Sequence, residues 1–242
     1  MRCVVAAFLL LASAALLSPL QAVHAAPLDL DTVAPPDEPP EQLCDRLAKN
    51  PFAGSGPDEW GKPFQGIDSY RAIPACSEAA KLHPNERRFQ LGLGLAYIAG
   101  DKKDLARPLL DKLVGEGDTA AMLSLAFISP ETEAAELMHK AAERGDASAM
   151  LLFGMSELTG KGVAKNEIEG IRMIRRAAEA GSTRAMLILG HFYQDSSYGV
   201  GFNPEEGKRL IGEAAKRGDA VAENILLSLQ EGTSSTSADP QQ

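Results

Sequence analysis

The stretch Gly145–Gly181, GDASAMLLFGMSELTGKGVAKNEIEGIRMIRRAAEAG, decides the fold of this chain. From Ala149 to Glu157 its apolar and small residues recur at three- and four-residue spacing, which predicts an amphipathic helix. The sequence Thr159-Gly160-Lys161-Gly162 then predicts a turn. Asn166 is a candidate N-cap for a second amphipathic pattern that ends before the final glycine. The stretch therefore predicts two helices joined by a glycine turn.

Such a helix pair cannot bury its apolar sides alone, because each helix has one polar face, so we expect it to stack on copies of itself. Three Ala-Ala-x-x-Gly blocks, spaced 36 and 37 residues apart, end at Gly145, Gly181 and Gly218. Ala-Met-Leu triplets recur in step with them and begin at Ala121, Ala149 and Ala185. The sequence therefore predicts an all-α protein, an α-solenoid of stacked antiparallel helix pairs.

These blocks resemble the Sel-one-like repeat (SLR), a relative of the tetratricopeptide repeat. Its units run roughly as L-G-x-x-Y, a G-x-G-V turn, a second helix and A-A-E-x-G. Here the first element is Leu189–Tyr193 and the turn is Gly160–Val163. The resemblance covers about Glu86 to Leu229. It implies a non-enzymatic protein–protein interaction scaffold or regulator that acts through a helical repeat surface.

The chain departs from the family pattern in places. The unit around Ala121 lacks the G-x-G-V turn, and the unit around Gly190 has one extra residue in its turn. The alanine that the family places in the second helix is Ala134 in one unit but Gly170 and Gly207 in the next two. We expect these departures to alter local curvature and to leave the fold intact.

The N-terminus has the pattern of an export signal. Arg2 precedes an apolar run from Val4 to Leu17, and small residues surround the candidate cleavage site after Ala25. The run is shorter than the ~20 residues that span a bilayer, and an uncleaved membrane anchor is the alternative. We predict a signal peptide over residues 1–25, no membrane insertion after its cleavage, and a periplasmic or secreted protein. Residues 26–41, rich in proline, are expected to form a flexible linker.

Two cysteines, Cys44 and Cys76, follow the signal, and export would place them where disulfides persist. A bridge would close a loop of about 30 residues and, on the chain-entropy model, contribute about 3–4 kcal/mol. The alternative, a reactive pair or metal site, lacks a C-x-x-C motif and has only His83 nearby as a further ligand. We predict a disulfide-stapled helical cap over residues 42–84.

Three aromatic residues between or beside the cysteines, Trp60, Phe64 and Tyr70, are expected to pack over the first helices, because exposed bulky aromatics cost solubility. An aromatic binding pocket is the alternative. The repeat solenoid should span residues 85–230, and a last unpaired helix should cover its end. Residues 231–242, rich in serine and threonine, should be disordered.

Composition and motifs exclude several functions. The net charge of −9 offers no electrostatic footprint for nucleic acid or an anionic membrane. No H-E-x-x-H, G-x-S-x-G or phosphate-loop motif occurs, and we interpret His139 and His191 as lacking ligands at metal spacing. We predict no catalytic residue, cofactor or metal site, and no enzymatic activity. A minor alternative is β-lactam binding or hydrolysis, which is associated with relatives that carry a cysteine pair in every repeat.

The remaining candidate for a functional site is the inner surface of the predicted solenoid. The resemblance implies that the first helix of each repeat lines the inner curve. These helices present one pair of residues per repeat at equivalent positions, namely Leu91, Leu95, Leu123, Phe127, Leu151, Met155, Leu187 and His191. An apolar groove of this kind would accept a peptide or amphipathic helix of an unidentified partner protein. The alternatives are that this face is filled as core, or that it binds cell-envelope glycan or peptidoglycan, for which clustered aromatics would be favoured.

Overall fold

The computed structural model describes residues 38–52 and 63–235, with side chains up to Ser228. The predicted signal peptide, most of the predicted linker, Trp60 and residues 236–242 lie outside the described residues. Within the described ranges every regular element is helical, with eleven α-helices and one 3-10 turn. No helix in these ranges is long and apolar enough to cross a membrane.

The helices follow one another with short connections. They are α1 (Pro40–Leu47), α2 (Ser69–Leu82), α3 (Arg87–Ala99), α4 (Lys103–Gly115), α5 (Thr119–Ile128), α6 (Glu131–Glu143), α7 (Ala147–Thr159), α8 (Glu167–Glu179), α9 (Thr183–Asp195), α10 (Pro204–Lys216) and α11 (Ala220–Ser235). The 3-10 turn, Ser197–Gly199, lies between α9 and α10. From α2 onward each helix packs against the one before it and the one after it, and α1 also contacts α3. This stack of helix pairs confirms the predicted α-solenoid.

Side-chain caps set the starts of the repeat helices. Asp118, Asp146 and Ser182 each accept a hydrogen bond from the backbone N–H three residues on, at 2.9, 2.9 and 3.2 Å. Asn166 does the same at the start of α8, as predicted. The start of α6 has no side-chain cap. Pro130 lies at the N-cap with φ −57° and ψ 153°, and the helix begins at Glu131.

One backbone hydrogen bond recurs in three hairpins and defines equivalent positions. The N-cap residue of the second helix donates its N–H to a carbonyl near the end of the first helix, at 2.8 Å each time. The bonds run from Lys102 to Tyr97, from Asn166 to Glu157 and from Asn203 to Tyr193. Tyr97, Glu157 and Tyr193 therefore occupy the same position in three of the four hairpins from α3 to α10.

Paired glycines bring the helices of the last two hairpins together. A Cβ on Gly154 would lie 2.8 Å from the carbonyl oxygen of Gly170, and one on Gly170 would lie 2.7 Å from the oxygen of Gly154. Gly190 and Gly207 repeat this at 3.0 and 2.6 Å. The contact leaves no space for a methyl group, which explains why glycine replaces the family's alanine in these two units.

The N-terminal cap is joined to the first repeat. Cys44 and Cys76 form a disulfide that links α1 to α2, and both residues are buried. The disulfide lies over α3, where a Cβ on Gly92 would be 3.0 Å from the Cys44 Sγ. Phe89, at the start of α3, belongs to the same buried cluster as the two cysteines. The cap therefore shares a core with α3.

Two local expectations differ from the structure. Tyr70 is 89% exposed, because Ala72, Cys76 and Ala79 occupy the inward face of α2 and leave Tyr70 on the outer one. The prediction that it packs is wrong. Helix α11 continues to Ser235, past the expected end at Leu229 and into the tail expected to be disordered.

Candidate partner-binding groove

The first helices of the repeats form the floor of an open cavity with a volume of about 1320 Å³. Its lining comes mainly from α5, α7, α9 and α11, with a wall from the loop between α1 and α2. Six of the eight residues expected on the inner face line it: Leu123, Phe127, Leu151, Met155, Leu187 and His191. We call this cavity the groove.

The other two expected residues do not line the groove. Leu95 is 1% exposed and lies in the main hydrophobic core. Leu91 is partly buried and packs against the same core. At this end of the inner face Leu95 is part of the core, and its assignment to an open groove is wrong. Leu91 lies outside the groove lining.

The described ends of the loop between α1 and α2 lie at that end of the groove. Phe64 is buried in the same core cluster as Leu95, and its ring meets that of Phe127 edge-on, with centroids 4.9 Å apart. Phe52 stacks edge-on against Phe64 at 6.1 Å, and its carbonyl accepts a hydrogen bond of 3.2 Å from the Ser148 hydroxyl of α7. These contacts place Phe52 and Phe64 against α5 and α7, and Pro51, Phe52 and Pro63 form the N-terminal wall of the groove.

The six groove residues lie at two depths. Leu123 and Leu151 are almost fully buried and form the floor. Met155 and Leu187 are half-buried, whereas Phe127 is 46% exposed and His191 is exposed. The groove therefore offers accessible apolar surface above a packed aliphatic base.

Polar groups lie along one rim, where α7, α9 and α11 begin. The Thr183 hydroxyl donates to Asp219 Oδ2 at 2.9 Å, and Asp219 Oδ1 accepts from the backbone N–H groups of Val221 and Ala222 at 3.1 Å. The Asp219 carboxylate is thus occupied in starting α11 and fixing it to α9. Two arginines, Arg184 and Arg217, also line this rim.

His139 and His191 each have one carboxylate nearby on the same helix, which sequence reasoning did not single out. His191 Nε2 lies 3.6 Å from Asp195, and His139 Nε2 lies 3.8 Å from Glu143. In each pair the carboxylate follows by four residues, which places both side chains on one face of a helix. Among the described residues no group of three or more potential metal ligands is found.

Sequence reasoning did not find every lining residue. Val221 and Ile225, one turn apart on α11, line the far end of the groove, and Phe52 lines the near end. The four-residue spacing on α11 is a signal that could have been used. Nothing comparable marks Phe52, because it lies in a loop without periodicity.

The Sel1 repeat model matches residues 129–146, 147–182 and 183–219. The Sel1 repeats of this chain thus lie within residues 129–219. The second and third matched segments coincide with the α7–α8 and α9–α10 hairpins, and the first covers α6. Sel1 repeats generally mediate protein–protein interactions, and the family is typically a non-catalytic interaction scaffold.

Two solved structures are similar to this chain. A Sel1 repeat protein from Oxalobacter formigenes has 23% identity and a TM-score of 0.43, over 46% of this chain and 90% of that one. A protective antigen present in uropathogenic Escherichia coli strains, which displays an SLR fold, has 19% identity and a TM-score of 0.36, over 69% of this chain and 48% of that one. No curated protein matches this chain.

Proposed function

We propose that this protein is exported and holds a partner protein in the groove, as a non-enzymatic scaffold or regulator. The observation that carries the proposal is the row of accessible apolar side chains along the first helices of successive hairpins. Phe127 is 46% exposed and Met155 and Leu187 are only partly buried by the chain's described residues, and apolar surface of this kind is stabilised when a partner buries it.

The size of the groove supports a peptide or protein segment as the occupant. Pockets for small molecules have volumes of roughly 300–1,000 Å³. A groove of about 1320 Å³, open along α5, α7, α9 and α11, accommodates several side chains of an extended segment or one face of a helix. The binding energy would come from apolar anchors, and the rim of Arg184, Arg217 and Ser182 would orient the segment.

Glycan binding has less support. Sugar sites combine aromatic faces with polar groups that bond to hydroxyls, and the aromatic residues that line this groove are phenylalanines, Phe52, Phe127 and Phe192. The β-lactam alternative rests on cysteine pairs in every repeat, whereas the disulfide between Cys44 and Cys76 lies in the cap, and neither cysteine lines the groove. We therefore favour a protein partner.

Export has two lines of support. The first 25 residues have the pattern of a signal peptide. The disulfide in the cap is of the kind that persists in an oxidising compartment. Expression of the full chain in a bacterial host, followed by cell fractionation and intact-mass measurement, tests this. We expect a periplasmic or secreted product that starts at Ala26 and has Cys44 and Cys76 oxidised, and a cytoplasmic full-length product would contradict export.

The binding proposal is tested with peptides selected from a displayed library on the mature protein. Met155→Glu and Leu187→Glu place a charge in the groove, and Ile168→Glu makes the same change at an exposed residue outside the groove lining. We expect the two groove variants to lose at least about tenfold in affinity, since one apolar anchor contributes about 1–3 kcal/mol. The control should bind as the wild type does. Folded groove variants that bind every selected peptide unchanged would contradict the proposal.

A further inference from the structure

Glu157 is the only charged residue of α7, and its carboxyl group lies inside the α7–α8 hairpin. The residue is 8% exposed, and Oε2 has no hydrogen-bond partner among the described residues. A carboxylate in such a place is costly, because it loses hydration without gaining a partner. Desolvation accordingly raises the pKa of Glu157 to about 7, the nearby Glu169 adds to this increase, and Arg172 opposes it.

The position is tyrosine in two other repeats. Tyr97 and Tyr193 accept the same backbone hydrogen bond from the next helix as Glu157 does. The Tyr193 hydroxyl also reaches Arg175 of α8, with an Nη2–Oη distance of 3.4 Å. A phenol is a much weaker acid than a carboxylic acid. The α7–α8 repeat therefore places a carboxyl group where two other repeats place a phenol ring, and this breaks the local pattern at one buried point.

Arg172, the cation that interacts with Glu157, and the basic groups of the neighbouring turn and of α6 have other acidic partners. On α8, Arg172 Nε donates to Glu169 at 2.8 Å. In the turn before α8, Lys165 pairs with Glu167 at 2.7 Å. On α6, which packs against the other side of α7, the His139 ring lies 4.7 Å from that of Phe153 and Nε2 lies 3.8 Å from Glu143. None of these groups forms a direct ion pair with Glu157.

Glu157 also lies between a residue that lines the groove and a residue that contacts α8, the second helix of its repeat. Two residues before it, Met155 lines the groove. One residue after it, Leu158 lies against Gly170, where a Cβ would be 2.8 Å from the Leu158 Cδ2. The Glu157 carbonyl itself accepts the bond that starts α8. Movement of this carboxyl into water would therefore disturb the end of α7 and its contact with α8 together.

We propose that Glu157 makes the α7–α8 repeat responsive to pH. In mildly acidic conditions the side chain is neutral and stays packed between the helices. As the pH rises the carboxyl ionises and draws the end of α7 toward solvent, which loosens the hairpin and weakens the groove beside Met155. The loosening of the hairpin does not depend on the proposed function, whereas the change in affinity for a partner rests on it.

The direction of the effect follows from linkage. The folded state holds a proton on Glu157 up to about pH 7, whereas an unfolded glutamate releases it near its ordinary pKa of 4.5. Protonation of Glu157 therefore stabilises the folded hairpin fully below pH 4.5, the ordinary pKa. This stabilisation decreases above pH 4.5 and is lost as the pH rises through 7. Local opening of α7–α8 should increase over this window, by up to about 100-fold between pH 5 and pH 8.

Hydrogen exchange followed by mass spectrometry on the mature protein tests the proposal, with labelling times corrected for the intrinsic pH dependence of exchange. We expect the opening of α7 and α8 to rise at least tenfold from pH 5.5 to pH 8 in the wild type and to change less than twofold in Glu157→Gln. Glu179→Gln, an exposed acid on the same hairpin, is the matched control and should behave as the wild type does. Glu157→Tyr, which restores the residue of the other repeats, should also remove the response.

A titration of the side-chain carboxyl by ¹³C NMR gives an independent readout. We expect a midpoint near 7 for Glu157, well above that of an exposed glutamate. A midpoint near 4.5, or an unchanged pH response in both Glu157→Gln and Glu157→Tyr, would overturn the proposal. Neither measurement uses a partner, so their failure is distinguishable from failure of the groove, which the Met155→Glu and Leu187→Glu variants test.

Discussion

The N-terminal cap and the last two repeats bring helices together in different ways. In the cap, the Cys44–Cys76 disulfide links α1 to α2 and lies over Gly92 of α3. In the repeats, glycines on both helices, Gly154 with Gly170 for instance, bring the two backbones into contact without a covalent link. An internal repeat is held on both sides by similar neighbours, whereas the end unit contains a long loop and has a neighbour on one side only. The cross-link therefore lies where stacking is weakest.

The inner face of the solenoid also differs between its two ends, in how accessible equivalent residues are. Leu95 and Met155 hold equivalent positions on α3 and α7, yet Leu95 is buried in the core cluster to which Phe64 belongs, whereas Met155 lines the groove. The difference comes from a loop that the repeat pattern does not describe. Equivalent positions in a solenoid share a backbone environment, and the segments that lie across the solenoid decide which of them stay accessible.

The largest expected effect on stability tests the difference between the equivalent positions Leu95 and Met155. Leu95→Glu places a carboxylate in the core without a partner and should lower the free energy of unfolding by about 3–5 kcal/mol. Met155→Glu, at the half-buried equivalent, should lower it by less than about 1 kcal/mol. Chemical denaturation of both variants checks the difference. Equal losses would mean that the two positions are equally buried in solution.

Loss of the disulfide should have the second-largest effect on stability. The double variant Cys44→Ser with Cys76→Ser removes the constraint on the loop and should cost about 3–4 kcal/mol in the unfolding of the cap. The repeats from α5 onward should stay helical, because their own neighbours hold them.

Limited proteolysis with and without reductant measures this loss. We expect faster cleavage in the loop between residues 53 and 62 and little change after residue 119. Protein from its native compartment with two free thiols, or cleavage that reductant leaves unchanged, would contradict a structural role for the bridge.

The glycine contacts should give a smaller effect whose sign depends on position. Gly170→Ala forces a methyl group to within 2.7 Å of the Gly154 carbonyl oxygen and should cost about 1–3 kcal/mol. Gly212→Ala, on α10, meets nothing within 4 Å and should instead stabilise the protein by about 0.5–1 kcal/mol through helix propensity. Thermal unfolding of the pair checks both signs. A stabilised Gly170→Ala would show that these helices can separate at no cost.

Much of the repeat architecture could be predicted from the sequence, because periodicity and capping residues act locally. Helix α7 ends at Thr159, the first residue of the predicted glycine turn, and Asn166 caps α8 as expected. Errors in the repeats are thus small and confined to helix ends.

The candidate site was less predictable, since it depends on contacts between segments distant in sequence. Phe64 joins the core cluster that contains Leu95, and the Ser148 hydroxyl donates to the carbonyl of Phe52, across sequence separations that no local pattern encodes. Tyr70 was misplaced for a related reason. Its aromatic character favours burial, but the helical phase set by Ala72 and Cys76 turns it outward.

The amino-acid sequence by itself determined the helices, their repeat and the glycines at which they meet, because these follow from spacing along the chain and from the absence of a Cβ. Only the tertiary structure decided that the inner face is closed at Leu95 and open from Phe127 to Ile225. It also decided that the carboxyl of Glu157 lies buried without a partner. Both depend on which surfaces remain in contact with water after packing, and that is a property of the folded chain as a whole.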